Sequence, residues 1–141
     1  MAQRFQDLVL WQLARELRLH VIRITSRRSV PIDRDLVRDL RRAVRSVASN
    51  IAEGHSRFRP KENHHFLEIA RASLAETENH LDDGFESGYF TKAEHSAATL
   101  LVRRITPAMS ALMRYLRSPA AEANYMRLIG RTGPPVRPRR T

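Results

Sequence analysis

The chain has 141 residues, no cysteine and a formal net charge of +10, with 42% hydrophobic and only 6% aromatic residues. This length suits one domain with its own core, and the lack of cysteine excludes a disulfide framework and a thiol nucleophile. No apolar run approaches the roughly 20 residues that cross a bilayer, and the N-terminus lacks the separate apolar region of a secretion signal, so we expect a cytoplasmic protein without a membrane partner.

The first predicted helix begins after Asp7, whose carboxylate suits a helix N-cap. Its apolar residues recur at steps of three and four, which is typical of one buried stripe. The stripe consists of Leu10, Ala14, Leu17, Val21 and Ile24. Trp11 lies beside it and is predicted to anchor the core or an interface. The polar segment 26–32 contains a proline and is predicted to be a connection.

Asp33 is the predicted N-cap of a second helix that has two distinct faces. The apolar face is formed by Leu36, Leu40, Val44, Val47 and Ile51. The opposite face is predicted to carry Arg34, Arg38, Arg41 and Arg45, again at helical spacing. Gly54 is predicted to end this helix, because glycine readily adopts the left-handed conformation that follows many helices.

Pro60 suits the first turn of a third helix, since its missing amide hydrogen is not needed there. The predicted buried stripe of this helix is Leu67, Ala70, Leu74, Thr77 and Leu81. The segment 82–90 contains two glycines and is predicted to be a boundary between helices.

Thr91 and Glu94 then form a capping box that starts a fourth helix. Its predicted inward residues are Ala97, Leu101, Ile105, Ala108 and Leu112. Pro107 removes one helical hydrogen bond, and we expect a kink there because the apolar period continues on both sides. A short helical piece is predicted after Pro119.

These elements predict an all-α fold, an antiparallel up-down-up-down four-helix bundle over residues 1–130. Residues 131–141 are rich in proline, glycine and arginine, and they predict a disordered basic tail.

Chemistry in a bundle core needs clustered ligands or a paired nucleophile and base, and the sequence offers neither. Glu62 and His65 have the spacing of one half of a di-iron site, but no second such pair occurs. The pairs His64 with Glu68 and Glu76 with His80 are four residues apart, a spacing that chance supplies readily. We therefore predict no metal, no cofactor and no enzymatic activity.

The arginine content instead favours a polyanionic partner, because guanidinium groups pair with phosphate in a forked geometry. The predicted nucleic-acid-binding residues are Arg34, Arg38, Arg41, Arg45 and Arg57. The alternative is an ordinary solvated face on which acids such as Asp35 and Asp39 pair with the arginines. A contrasting acidic region, residues 76–86, would allow copies of the chain to contact each other head to tail.

The sequence SNIAEGHSR, residues 49–57, combines polar side chains with the end of an amphipathic helix. On a helical wheel, Asp39, Ser46, Asn50 and Glu53 form a polar seam between the core face and the arginine face. We expect Asn50 and Glu53 to bind protein, within this subunit or the next, with Arg57 close enough to join them.

Three motifs carry a resemblance to a known family. They are Arg42-Ala43, then Asn50 to Gly54 followed by Arg57, and then Phe66 to Glu76 with the pattern Phe-Leu-x-x-Ala-x-x-Ser-Leu-x-Glu. With these motifs, residues 5–90 resemble the bacterial four-helix-bundle family of 23S ribosomal RNA intervening-sequence proteins. Pro107 and the basic tail depart from the family's pattern.

The resemblance implies a small antiparallel bundle that assembles as a homopentameric ring and has no established catalytic residue. Within these motifs, we predict an interface or structural role for Arg42, Asn50, Glu53 and Gly54. Similar proteins include the accessory variability proteins of diversity-generating retroelements, which bind nucleic acid and a reverse transcriptase. We therefore expect a non-catalytic oligomer that binds nucleic acid, the alternative being a purely structural scaffold whose partner is a protein such as a reverse transcriptase.

Overall fold

A computed structural model of the chain describes residues 4–26 and 31–132, which are mostly helical and contain no strand. A short 3-10 turn at Phe5–Asp7 precedes five α-helices. The helices are α1 (Val9–Thr25), α2 (Arg34–Ser56), α3 (Pro60–Glu86), α4 (Lys92–Leu116) and α5 (Pro119–Thr132). The predicted all-α class is confirmed.

Helices α1 to α4 form a closed four-helix arrangement. Each helix packs against the next along the chain, and α4 packs against α1. The diagonal pairs, α1 with α3 and α2 with α4, have no such packing in the described ranges. Neighbouring helices are antiparallel, since they are joined by short connections, and His20 near the end of α1 meets the Glu94 carbonyl oxygen at the start of α4, at 2.9 Å. The bundle therefore has the predicted up-down-up-down order.

The core consists of the stripes that the apolar periods predicted in α1, α2 and α3. All fifteen residues of those three stripes are buried. Thr77 is the polar member of the set, and its hydroxyl donates to the Ser73 carbonyl oxygen one turn earlier, at 2.7 Å. A buried hydroxyl that bonds within its own helix leaves no unsatisfied polar group in the core.

The helix starts agree with the sequence at three places and differ at one. Asp33 caps α2 by accepting from the amides of Asp35 and Leu36, Thr91 and Glu94 form the predicted capping box, and Pro60 is the first residue of α3. The prediction for Asp7 is wrong, because Asp7 belongs to the 3-10 turn and Leu8 is the N-cap of α1 without a side-chain bond.

Two predicted helix ends are wrong, and each contains a glycine. Helix α2 continues through Gly54 to Ser56, and α3 continues through Gly84 to Glu86. Both glycines keep helical backbone angles, and among the described residues only Gly88 has a positive φ, of 80°. Both are also buried, because another part of the chain packs against each glycine where a side chain would otherwise lie.

The buried stripe of α4 differs from the predicted one by about one residue along much of the helix. The buried residues are Ala98, Val102, Ile105, Met109 and Met113. Leu101, Ala108 and Leu112 lie at the edge of the core, and Ala97 is exposed, so the prediction for Ala97 is wrong. The apolar arc of α4 is broad, and packing against both α1 and α3 determines which part of it turns inward.

Helix α4 is not broken at Pro107, which is exposed. The predicted helical piece after Pro119 is present as α5, which packs against α4 and α3. Helix α5 ends at Thr132, so the predicted tail begins two residues too early. The rest of that tail, residues 133–141, lies outside the described part of the chain, as do residues 27–30 of the first connection. None of the helices in residues 4–26 and 31–132 has the length and apolar character needed to cross a membrane.

Candidate functional site

The outward face of α2 carries a row of four arginines, all of them exposed. The row consists of Arg34, Arg38, Arg42 and Arg45. At 100° per residue these four positions fall within an arc of about 80°, centred opposite the core stripe. Arg42, predicted as part of an interface motif, belongs to this outward arginine row. A helical wheel applied to Arg42 as well would have found it.

Three members of the outward arginine row are uncompensated. Arg38 makes ion pairs with Asp35 at 3.1 Å and with Asp39 at 3.3 Å, both on the surface. Such exposed pairs contribute little stability and separate easily. Arg34, Arg42 and Arg45 make no ion pair with any described residue. The alternative in which acids neutralise the whole face therefore applies to Arg38 alone.

Arg41 does not belong to the outward face. It is half-buried against α1, where its Nε donates to Thr25 Oγ1 at 2.9 Å and a terminal nitrogen donates to Ser26 Oγ at 3.1 Å. At this position the positive charge of Arg41 interacts favourably with the negative, C-terminal end of the α1 dipole. Arg41 thus joins the start of α2 to the end of α1, and the prediction that it faces outward is wrong.

Two residues of the polar seam, Ser46 and Asn50, form a hydrogen-bonded group that reaches α3. The hydroxyls of Ser46 and Ser73 are 2.7 Å apart across the two helices. Asn50 donates to the Ser46 carbonyl oxygen at 2.8 Å and to the Ser46 hydroxyl at 3.0 Å. The Ser46–Ser73 bond therefore links α2 to α3, and Asn50 supports it from within α2. Because Ser73 is buried and Asn50 half-buried, this polar group is satisfied within one chain.

Glu53 and Arg57 form an ion pair at the end of α2. The Arg57 Nε and one terminal nitrogen lie 3.0 and 2.8 Å from the same Glu53 oxygen. The Arg57 guanidinium carbon is also 5.1 Å from the centre of the Phe66 ring on α3, within the range of a cation–π contact. Arg57 therefore already has an anionic partner, unlike most of the outward arginine row.

Gly54 lies where α2 packs closely against α3 near their shared turn. A Cβ at this position would be 2.7 Å from Asn63 Oδ1 and 3.1 Å from both the Asn63 carbonyl oxygen and Phe66 Cβ. The glycine in SNIAEGHSR thus permits close helix packing, and the helix ends only after Ser56.

Three of the six histidines each lie beside a single carboxylate. His64 lies 3.3 Å from Glu68, His80 3.6 Å from Glu76, and His95 2.7 Å from Asp82. No group of three or more potential metal ligands occurs among the side chains that the structure describes. Glu62 and His65 are both exposed, away from any core site.

The geometry defines a class of protein: a helical bundle in which one helix presents a row of arginines, three of the four without an ion pair to a described residue, and joins its neighbour through small and polar residues. The family model of the 23S rRNA-intervening sequence protein matches residues 6–111, which span α1 to α3 and most of α4. The chain belongs to this family. None of the curated proteins matches it significantly.

Proposed function

We propose that this member of the family is a non-catalytic binding protein that holds nucleic acid on the outward arginine row of α2. The observation that carries the proposal is that Arg34, Arg42 and Arg45 make no ion pair with any residue of 4–26 and 31–132, beside the weakly paired Arg38. Exposed guanidinium groups without carboxylate partners are free to bind phosphate oxygens in the forked geometry.

The row has a length that suits a phosphate backbone. From Arg34 to Arg45 the helix axis rises about 17 Å, roughly half a turn of a DNA duplex. Contacts made by such a row are to phosphates, which position a nucleic acid without reading its bases. Helix α2, Arg34–Ser56, contains no Phe, Tyr or Trp that would stack on bases. We therefore expect binding with little sequence preference and a strong dependence on salt.

Fluorescence anisotropy with labelled RNA and labelled duplex DNA tests this proposal. The test variant replaces Arg34, Arg38, Arg42 and Arg45 with Gln and retains Arg41, whose bonds to α1 serve the fold. The slope of log K against log salt should become shallower by about one for each arginine that contacts a duplex phosphate.

A matched control separates the row from net charge. It replaces four exposed arginines outside the α2 face, Arg23, Arg103, Arg104 and Arg127, with Gln. The control should retain most of the affinity and the parent's salt slope. If both variants lose affinity equally, the α2 row has no special role, and the proposal is rejected.

We also propose that copies of the chain assemble head to tail into a ring. Support comes from charge: α3 carries seven acidic and two basic side chains, in a chain whose net charge is +10. Its last three turns expose Glu76, Glu78, Asp82, Asp83 and Glu86. An acidic face on one copy is complementary to a basic face on the next, and repeated contacts of this kind close into rings when the rotation permits. Light scattering should give a multiple of 16.3 kDa, and a monomer at all concentrations would contradict assembly.

A scaffold that contacts a protein partner is the second candidate function. Phe58, in the turn between α2 and α3, supports it, because 79% of this aromatic residue is exposed. The anisotropy experiment separates the candidates. A scaffold without a nucleic-acid role should show no binding to RNA or DNA even at low salt, where electrostatic contacts are strongest.

A further inference from the structure

A groove between α3 and α4 brings together basic side chains from both helices. Arg71 contributes from the middle of α3, and Arg114 and Arg117 contribute from the end of α4. Ser110, His64 and Glu68 form the rest of the polar wall of this space, whose volume is about 240 Å³. Three guanidinium groups from two helices therefore border one concave surface.

The positive charge of the groove is largely uncompensated. Arg71, Arg114 and Arg117 make no ion pair with any residue in the described ranges. The one carboxylate in the wall is Glu68, which lies 3.3 Å from His64 Nδ1. On a helix with seven acidic side chains, the groove is thus a local concentration of cations.

The dipole of α4 explains only part of this arrangement. Basic residues at a helix C-terminus are favourable, and this accounts for Arg114 in the last turn and Arg117 at the C-cap. Arg71 is more than two turns from either end of α3, so no helix end requires its charge. Grouping it with two further arginines disfavours the empty groove by repulsion between like charges and favours an anion in it.

We propose that the groove binds a phosphate group, carried either by a free small molecule or by a nucleic-acid strand. Arginine forks match phosphate oxygens, and the Ser110 hydroxyl supplies a further donor. A neighbouring space of about 650 Å³ shares His64, Glu68 and Arg117 and extends to Lys61 and the start of α5. It offers room for the remainder of the phosphorylated molecule.

The groove is separate from the outward arginine row. It lies between α3 and α4, whereas the row lies on the outer side of α2, diagonally opposite α4. The inference therefore does not rest on the proposed function, and each can fail without the other.

Calorimetry and thermal unfolding with pyrophosphate test the groove in the full chain. The test variant carries Arg71→Gln, Arg114→Gln and Arg117→Gln, and the control carries Arg15→Gln, Arg23→Gln and Arg104→Gln, three exposed arginines outside the groove. Pyrophosphate should raise the unfolding temperature of the parent and the control but not of the groove variant. We expect the groove variant to bind about a hundredfold more weakly, roughly fivefold for each of the three arginines lost.

Two further arms identify the source of the phosphate and test the role of Glu68. A six-nucleotide RNA without a terminal phosphate reports on backbone binding, and the variant Glu68→Gln removes the opposing carboxylate. If the groove variant weakens pyrophosphate binding, the site accepts a free phosphate compound; if it weakens only RNA binding, the phosphate belongs to a strand. Glu68→Gln should strengthen binding of the preferred ligand severalfold, because it removes a negative charge that repels the phosphate.

The inference is overturned if the groove variant and the control bind both ligands equally, or if the parent binds neither. The α2 row variant serves as a second control and should bind pyrophosphate like the parent. If the groove variant binds both ligands like the parent while the α2 row variant loses nucleic-acid binding, the proposed function stands and the groove proposal is rejected. If the groove variant loses binding while the row variant retains it, the row is rejected and the groove proposal stands.

Discussion

The two turns that flank α3 each contain a phenylalanine, one with a buried ring and the other with an exposed ring. Phe90, between α3 and α4, is 4% exposed and belongs to the core. Phe58, between α2 and α3, is 79% exposed. Burying a phenylalanine contributes about 1.5–3 kcal/mol to folding, so only the turn between α3 and α4 obtains that stabilisation from its aromatic ring.

The turn between α3 and α4 is stabilised by several side chains together. Gly88 adopts a φ of 80°, which glycine reaches without strain. The Thr91–Glu94 capping box satisfies the start of α4, and the Phe90 ring lies directly over Gly84. Each device fixes the path of the chain from one helix into the next.

The turn between α2 and α3 uses backbone and close packing instead. Arg59, the N-cap of α3, makes no side-chain capping bond, and no residue of this turn has a positive φ. Its stability comes from the approach of α2 to α3 at Gly54. Arg57 contributes through its contacts with Glu53 and Phe66. The exposed side chains of Phe58 and Arg59 are not needed to hold this turn, which leaves them available for contacts with another molecule.

The largest effect should come from Phe90→Ala. Removing a buried ring loses its transfer free energy and leaves a cavity over Gly84, so we expect a loss of about 3–5 kcal/mol in the free energy of unfolding. Urea denaturation followed by circular dichroism measures it. Phe90→Leu retains most of the apolar volume and should cost less than about 1.5 kcal/mol. Equal losses in the two variants would show that the ring does not fill the space above Gly84.

A smaller effect is expected from Gly54→Ala. The new methyl group would gain about 1 kcal/mol of helix propensity but would press on the Asn63 carbonyl oxygen and Phe66 Cβ, each at 3.1 Å. Overpacking costs about 1–3 kcal/mol, so the variant should be less stable by about 1 kcal/mol.

The matched control for this substitution is Gly130→Ala in α5. Nothing lies within 4 Å of a Cβ at Gly130, so the same change there gains propensity without a clash. It should be neutral or stabilising, by up to about 1 kcal/mol. If Gly54→Ala stabilises the protein equally, α2 and α3 are not as close at this point as the structure places them.

Gly54 and Gly84 also show what a single sequence can predict. The buried stripes of α1, α2 and α3 could be predicted because apolar periodicity within one helix determines its inward face. A glycine near the end of such a stripe suits either a helix end or a close approach between helices. The choice depends on which atoms of α3 or of the following turn lie opposite, and one helix's own pattern does not contain that information.

Only part of the candidate site could be predicted, because the pattern of one helix does not show what packs against it. The spacing of basic residues located the face of α2, but Arg41 and Arg42 are adjacent, and the packing of α1 decides which of them is free. In the groove, Arg71 and Arg114 are 43 positions apart in the sequence. Only the pairing of α3 with α4 brings them to one surface, so no local pattern could have indicated that site.

The smallest effect on stability should come from Phe58→Ala, the counterpart of Phe90→Ala. Because the ring is largely exposed, its removal should change the free energy of unfolding by no more than about 0.5 kcal/mol. If Phe58 serves contact with another molecule, the same variant should lower the mass measured by light scattering or weaken nucleic-acid binding. The two readouts sharpen the contrast between the turns: Phe90 would affect folding, and Phe58 would affect association alone. A large loss of stability in Phe58→Ala would show that the exposed ring packs against the same chain, and the contrast would then be wrong.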